Sequence, residues 1–210
     1  MADETIGDDP LMGAGVLPFA LDGGRVFFLM QTVFAGRKSG LLNDFGGGSE
    51  PGESGLQTAA REFVEETETL YFAENPGIAR RTPGSVKAQL SVVQALFDDA
   101  LSRQPDWACR RVSPDPAKPK DWTTFFVEIP YREVESLNRL WETDDGARYK
   151  KRRRLHWLSA SELVSLYTGH PDQLWKRVRQ LDNAVGVITE IRDTFESTRG
   201  GRPQVPGRPA

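Results

Sequence analysis

The apolar positions of the chain follow two periods. Gly13 to Leu21 (GAGVLPFAL) and Arg25 to Gln31 (RVFFLMQ) are apolar runs on either side of Asp22-Gly23-Gly24. A tight turn of that composition between such runs predicts a β-hairpin. Asp121 to Ile129 (DWTTFFVEI) predicts a further strand and Leu155 to Leu158 (LHWL) a short one. At Ser54 the period changes. Leu56, Ala59, Ala60 and Phe63 recur at helical spacing and form one apolar face, and Ser54 with Gln57 makes a capping box at its start. This helix is expected to fade at Thr67-Glu68-Thr69, where β-branched residues enter. Residues 84–103 predict a second amphipathic helix, residues 131–141 a short one, and Ser159-x-Ser161-Glu162 the start of another. Leu174, Val178, Leu181, Val185, Ile188 and Ile191 predict one long terminal helix over residues 171–195.

Between these elements, residues 34–44 read as a loop leading into Gly46-Gly47-Gly48, a glycine turn. Pro76, Pro83, Pro105, Pro114, Pro116 and Pro119 punctuate an irregular, partly helical region at about 71–120, read as an insertion or a lid. Residues 1–10 are polar and expected to be flexible, residues 11–196 form a single α/β domain, and the Gly-, Pro- and Arg-rich residues 197–210 are expected to be a disordered tail. No internal repeat is visible.

Composition narrows the class. The chain has 210 residues, 38% hydrophobic and 27% charged, with a formal net charge of −3. Those values suit one globular domain and give no overall attraction to nucleic acid or an anionic membrane. Cys109 is the lone cysteine, so an intrachain disulfide is excluded. The N-terminus MADETIGDD has no basic region followed by an apolar run, and no apolar stretch approaches the ~20 residues that span a bilayer. A cytoplasmic, membrane-free protein is expected.

The candidate chemistry lies in residues 46–67, GGGSEPGESGLQTAAREFVEET. Glu62, Glu65 and Glu66 share a helix face, where like charges repel by a few tenths of a kcal/mol per pair. A hard divalent cation offsets such repulsion, and Mg²⁺ favours carboxylate oxygens while keeping waters for a phosphate-bearing substrate. Glycines just before the helix let backbone approach a ligand closely. Glu53 reaches the same place from the loop, and Arg61 is suited to hold Glu53 or Glu62 by a bidentate pair. For three glutamates alone, an exposed acidic helix is the commoner explanation. The full spacing Gly47-x5-Glu53-x7-Arg61-Glu62-Phe63-x-Glu65-Glu66 is harder to reach by chance, roughly once in 10⁵ chains of this length at ~6% usage per fixed residue.

That segment resembles the signature box of the Nudix hydrolases, G-x5-E-x7-R-E-U-x-E-E-x-G-U, with U a bulky apolar residue. Gly47, Glu53, Arg61, Glu62, Phe63, Glu65 and Glu66 match; Glu68 stands where the family has glycine, and Thr69 at the final apolar position. The resemblance implies an α/β/α sandwich around a mixed β-sheet. It implies Mg²⁺ or Mn²⁺ as cofactor, with Glu65 and Glu66 as first-choice ligands. Glu62 would be a third ligand or base, the Gly46 carbonyl a further ligand, Glu53 a supporting group and Arg61 an orienting one. It implies a pyrophosphohydrolase acting on a small-molecule phosphoanhydride, a nucleoside diphosphate linked to another moiety such as ADP-ribose or a dinucleoside polyphosphate. For the downstream general base used by many members, the candidates are Glu142, Asp144 and Asp145, with Glu128 behind them; a polar turn is the competing explanation for each. Substrate-contacting residues are not identified, and a homodimer is common among relatives. Two alternatives stay open: a non-catalytic nucleotide- or RNA-binding module of the same fold, and a diphosphoinositol polyphosphate phosphohydrolase, whose opening resembles Gly46-Gly47-Gly48-x-Glu50-Pro51-x-Glu53.

The basic run Lys150 to Arg154 suits phosphate or RNA, although a solvated loop is the simpler expectation. Trp107, Trp122, Trp141, Trp157 and Trp175 are expected in the core rather than under a base. His156 and His170 have no partner at metal-ligand spacing.

Overall fold

A computed structural model describes residues 13–79, 85–113, 115, 117, 121–143 and 152–196. The early hairpin forms as expected. Strands β1 (Ala14–Asp22) and β2 (Arg25–Val33) pair antiparallel with Phe19 opposite Phe28. Gly23 and Gly24 turn the corner at φ 56° and 82°, the left-handed geometry of a type I′ turn. Strand β3 (Phe45–Gly47) lies antiparallel to β1. Strand β5 (Thr123–Glu128) lies parallel to β1 and carries β4 (Ala108–Arg110) on its other edge. Strand β6 (Arg153–Ser159) closes the opposite edge against β2. The sheet is mixed, in the order β4-β5-β1-β2-β6 with β3 added to β1.

Helices cover both faces, giving an α/β/α sandwich. One core joins Ala14, Val16 and Phe45 to α1 (Gly55–Glu66), α3 (Ser85–Arg103) and α4 (Glu135–Thr143). The other joins Leu17, Phe19 and Phe28 to α5 (Ala160–Gly169), α6 (Lys176–Arg179) and α7 (Ala184–Glu196). A strand buried on both faces has no polar side to show, which is why β1 reads as a continuous apolar run. A short helix, α2 (Pro76–Ala79), precedes α3. The expected capping box of Ser54 with Gln57 forms on α1, and the helix start expected at Ser159 forms as a second one, with Glu162, on α5. Among the described residues no helix is long and apolar enough to cross a membrane.

Three expectations change. The glycine turn is a strand: Gly46 and Gly47 lie in β3, opposite Gly15 and Ala14. They are needed for closeness rather than for turning, because a Cβ on Gly46 would stand 2.5 Å from the Ala14 carbonyl and 2.9 Å from Trp122. The long terminal helix is broken into a 3₁₀ turn (Pro171–Gln173), α6 and α7. Its backbone is recruited sideways instead: Trp175 N–H donates to Leu42 O (2.8 Å), Asp182 N–H to Arg110 O (2.7 Å), and Asn183 takes φ 52°. Within residues 71–120, α3 seats Val93, Phe97 and Ala100 in the core against α1, and β4 extends the sheet. The stretches 1–10 and 197–210 lie outside the described residues.

Candidate functional site

Helix α1 meets the glycine strand at its C-terminal half, and there the box residues gather. Arg61 is 9% exposed and takes carboxylates from three directions. Its Nε and Nη2 donate to the two oxygens of Glu53 (2.7 and 3.1 Å), Nη2 also to Gly48 O (2.7 Å), and Nη1 to Glu62 (2.9 Å) and Glu65 (3.3 Å). Burial opposes the Glu53 charge, but hydrogen bonds from Arg61, the Glu50 N–H and Thr58 outweigh it and hold the carboxyl below its usual pKa. Arg61 is held above its usual range, chiefly by the Glu53 hydrogen bonds.

Glu62 and Glu65 are under the opposite pressure. Burial first, then the Glu66 charge, pushes Glu62 up, and Arg61 only partly opposes this. Burial likewise raises Glu65 against the pull of Arg61. The Glu62 carboxylate lies over Gly47, where an added Cβ would sit 2.2 Å from Oε1. Glu66 turns toward the sheet. Its Oε2 accepts from Gln31 Nε2 (2.6 Å) and the Gly46 N–H (2.9 Å), and its Oε1 from Arg153 Nη1 (3.1 Å).

The Gly46 carbonyl accepts from Arg177 Nη1 at 3.1 Å. Arg177 in turn donates from Nε to the fully buried Asp44 (2.9 Å) and lies 3.9 Å over the Trp122 ring. Asp44 Oδ2 accepts from Thr124 Oγ1 (2.9 Å), which accepts from Trp122 Nε1 (2.9 Å). One residue, Gly46, therefore links the acidic corner, through its N–H, to a buried ion pair, through its C=O.

The residue types fit a hard divalent cation: carboxylate oxygens, partly desolvated, two of them ionised against resistance. As the side chains stand, among the described residues no group of acidic, histidine or cysteine side chains is arranged to hold an ion. Glu53, Glu62, Glu65 and Glu66 are occupied by Arg61, Arg153, Gln31 and the Gly46 N–H, so cation binding would exchange guanidinium contacts for metal contacts.

Of the base candidates, Asp144 and Asp145 lie outside the described residues. Glu142 is exposed on α4, 3.6 Å from Arg154. Glu128 pairs in register with Phe19, at the other end of β1 from Gly15 and the glycine strand, and lines a cavity of about 330 Å³ with Leu96, Arg103 and Tyr131. Two members of the basic run are engaged: Arg153 is buried beside Glu66, and the exposed Arg154 pairs with Glu135 at 3.1 Å. Trp107, Trp122 and Trp141 are buried as expected, whereas Trp157 is half-buried and stacked on Tyr131 at 5.2 Å. Sequence reasoning missed Gln31, Asp44 and Arg177, and named Arg153 only as a member of the basic run at 150–154. Arg153 carried a signal, since it alternates in phase with Leu155 on a strand; Arg177 carried none, being one cation in a helical stretch.

No protein-family model and no curated protein sequence matches the chain. Solved structures do. A C. elegans Ap4A hydrolase in a binary complex aligns at 11% identity and a TM-score of 0.45, over 88% of this chain and 97% of that one. A Nudix hydrolase from M. smegmatis, RenU, aligns at 13% identity and 0.41, over 88% and 86%. Shewanella oneidensis NrtR, complexed with a 27mer DNA, aligns at 13% identity and 0.41, over 87% and 62%.

Proposed function

We propose that the chain is a Nudix-type pyrophosphohydrolase that depends on Mg²⁺ or Mn²⁺ and cleaves a nucleoside diphosphate linked to another moiety. The observation that carries this reading is the convergence of Glu53, Arg61, Glu62, Glu65 and Glu66 where α1 meets the glycine strand. Glu65 and Glu66 would hold the cation, with Glu62 as a third ligand or base and the Gly46 carbonyl beside them. A bound divalent cation neutralises a diphosphate and lowers the pKa of a coordinated water. Arg61 keeps Glu53, Glu62 and Glu65 from splaying apart, and Gln31, Arg153 and the Gly46 N–H fix the direction of Glu66.

The test is release of a nucleoside monophosphate, with Mg²⁺, from ADP-ribose, dinucleoside polyphosphates, NADH and nucleoside triphosphates. Glu66→Gln keeps the shape but removes the charge, and is expected to lower turnover by about 10²-fold or more on the substrate that works. Full activity in that variant would sink the assignment of the site. An RNA-binding module gains less from the basic run than its sequence suggests, because Arg153 and Arg154 are already paired with Glu66 and Glu135.

A further inference from the structure

Beside Glu66 the structure collects hydrogen-bond donors that lack acceptors. Gln31 and Asn43 form a reciprocal antiparallel pair (Gln31 N–H to Asn43 O 3.0 Å, Asn43 N–H to Gln31 O 2.8 Å). Residues paired in that way project their side chains from the same face, about 5 Å apart at Cβ. The Gln31 side chain donates to Glu66 and accepts from Arg153. Asn43 is 1% exposed, yet among the described residues neither atom of its side-chain amide has a partner, and the buried Nε of Arg153 has none either. An unmet buried donor costs about 1–3 kcal/mol, so a fold keeps such groups where something completes them.

The turn that carries Lys38 runs beside Arg153. Val33 is in register with Arg153 on β6 and bridges to Ser39, which brings the Gly36–Lys38 turn alongside Arg153. Its neighbours from Phe34 to Gly40 are exposed, whereas Lys38 is half-buried. Among the described residues its ammonium makes no ion pair or hydrogen bond. Burial first, and then Arg177, holds its pKa below the usual lysine value, with Glu66 and Asp44 pulling the other way and Arg153 adding to the depression. The charges acting on Lys38 are Arg177 and Arg153 against Glu66 and Asp44, which offset each other and leave the Lys38 charge over. A water would satisfy Asn43 but would not neutralise Lys38. An oxyanion with several acceptor oxygens does both.

We propose that Lys38, Arg153 and Asn43 form a seat for a phosphate group of the substrate, adjoining the acidic corner at Glu66. This rests on the phosphoanhydride reading above and names the side chains that would hold the phosphate beside the one attacked. Lys38, half-buried, would supply the charge, and the amide of Asn43 and Nε of Arg153 the unmet hydrogen bonds.

The experiment is calorimetric titration of inorganic pyrophosphate into the full chain in EDTA, so that neither metal nor turnover contributes. The wild type is expected to bind, Lys38→Met to bind about tenfold more weakly or worse, and Lys38→Arg to stay within about threefold of wild type. Arg154→Met, which removes an exposed cation paired with Glu135, is the control and is expected to bind as wild type does. The proposal fails if the wild type does not take up pyrophosphate at millimolar concentration, or if Lys38→Met binds it undiminished. Metal-free binding that depends on Lys38, alongside full turnover by Glu66→Gln, would keep the seat and discard the metal-site reading.

Discussion

Arg61 and Glu62 are neighbours on α1 with opposed electrostatic situations, and the difference is measurable. Glu53, gripped by Arg61, has a depressed pKa; Glu62 and Glu65 have raised ones, first because of burial. A raised carboxyl stabilises the fold fully below its unfolded value of 4.5, and that contribution is lost as pH climbs through the raised value. A depressed one contributes above 4.5 and is lost as pH falls through the lowered value. In EDTA, the urea midpoint is therefore expected to rise as pH is lowered from about 7 toward about 5, then to fall on further acidification. Mg²⁺ should flatten the upper slope, because a cation replaces the proton as the partner of Glu62 and Glu65. A flat profile in EDTA would show that these groups are not under the pressure described.

The glycine strand shows that adjacent positions in one element can answer to different demands. A methyl on Gly46 meets backbone, 2.5 Å from the Ala14 carbonyl and the Gly15 Cα, where little can move. Gly46→Ala is expected to cost about 3 kcal/mol of stability in urea unfolding. A methyl on Gly47 meets the Glu62 carboxylate first, at 2.2 Å, the end of a flexible side chain. Gly47→Ala is expected to fold with a loss under about 1 kcal/mol but to lose activity by displacing Glu62. The pair is checked by comparing unfolding midpoints with turnover. At this scale the sequence was readable wherever the signal was local. The Asp-Gly-Gly hairpin, the helix starts at Ser54 and Ser159 and the apolar face of α1 needed no distant partner. The glycines were misread as a turn because their reason, the closeness of β1 and Trp122, lies far off in the chain. The terminal helix was overextended for the same cause: its apolar spacing is helical, but its backbone is claimed by Leu42 and Arg110. Glu68 and Thr69, at φ 52° and 63°, show the opposite case, a left-handed helix exit made without the expected glycine.

Across the whole molecule, the Asp44–Arg177 pair ties the segment before the last helix to the strand that serves the site. Both groups are buried, so removing one partner leaves the other charge stranded. Arg177→Met is expected to cost about 3–5 kcal/mol, and adding Asp44→Asn to recover part of that loss, since the isolated charge is then gone. Urea unfolding of the single and double variants tests this; a double variant no better than the single would show that the charge was not what hurt. The acidic half of the site was legible because it is consecutive in sequence. The supporting half, Gln31, Asp44, Arg177 and the role of Arg153 beside Glu66, was not, because it is assembled from four separate places in the chain. That scatter also has a consequence during synthesis. Strand β1 is complete at Asp22, but the strand it lies parallel to begins at Thr123, and the partner of β2 begins later still, at Arg153. On the ribosome the nascent hairpin must therefore wait, with both edges unclaimed, until about a hundred further residues have emerged. For that interval an apolar ribbon stands open to its surroundings, and a chaperone that shields short hydrophobic strands would find its target there.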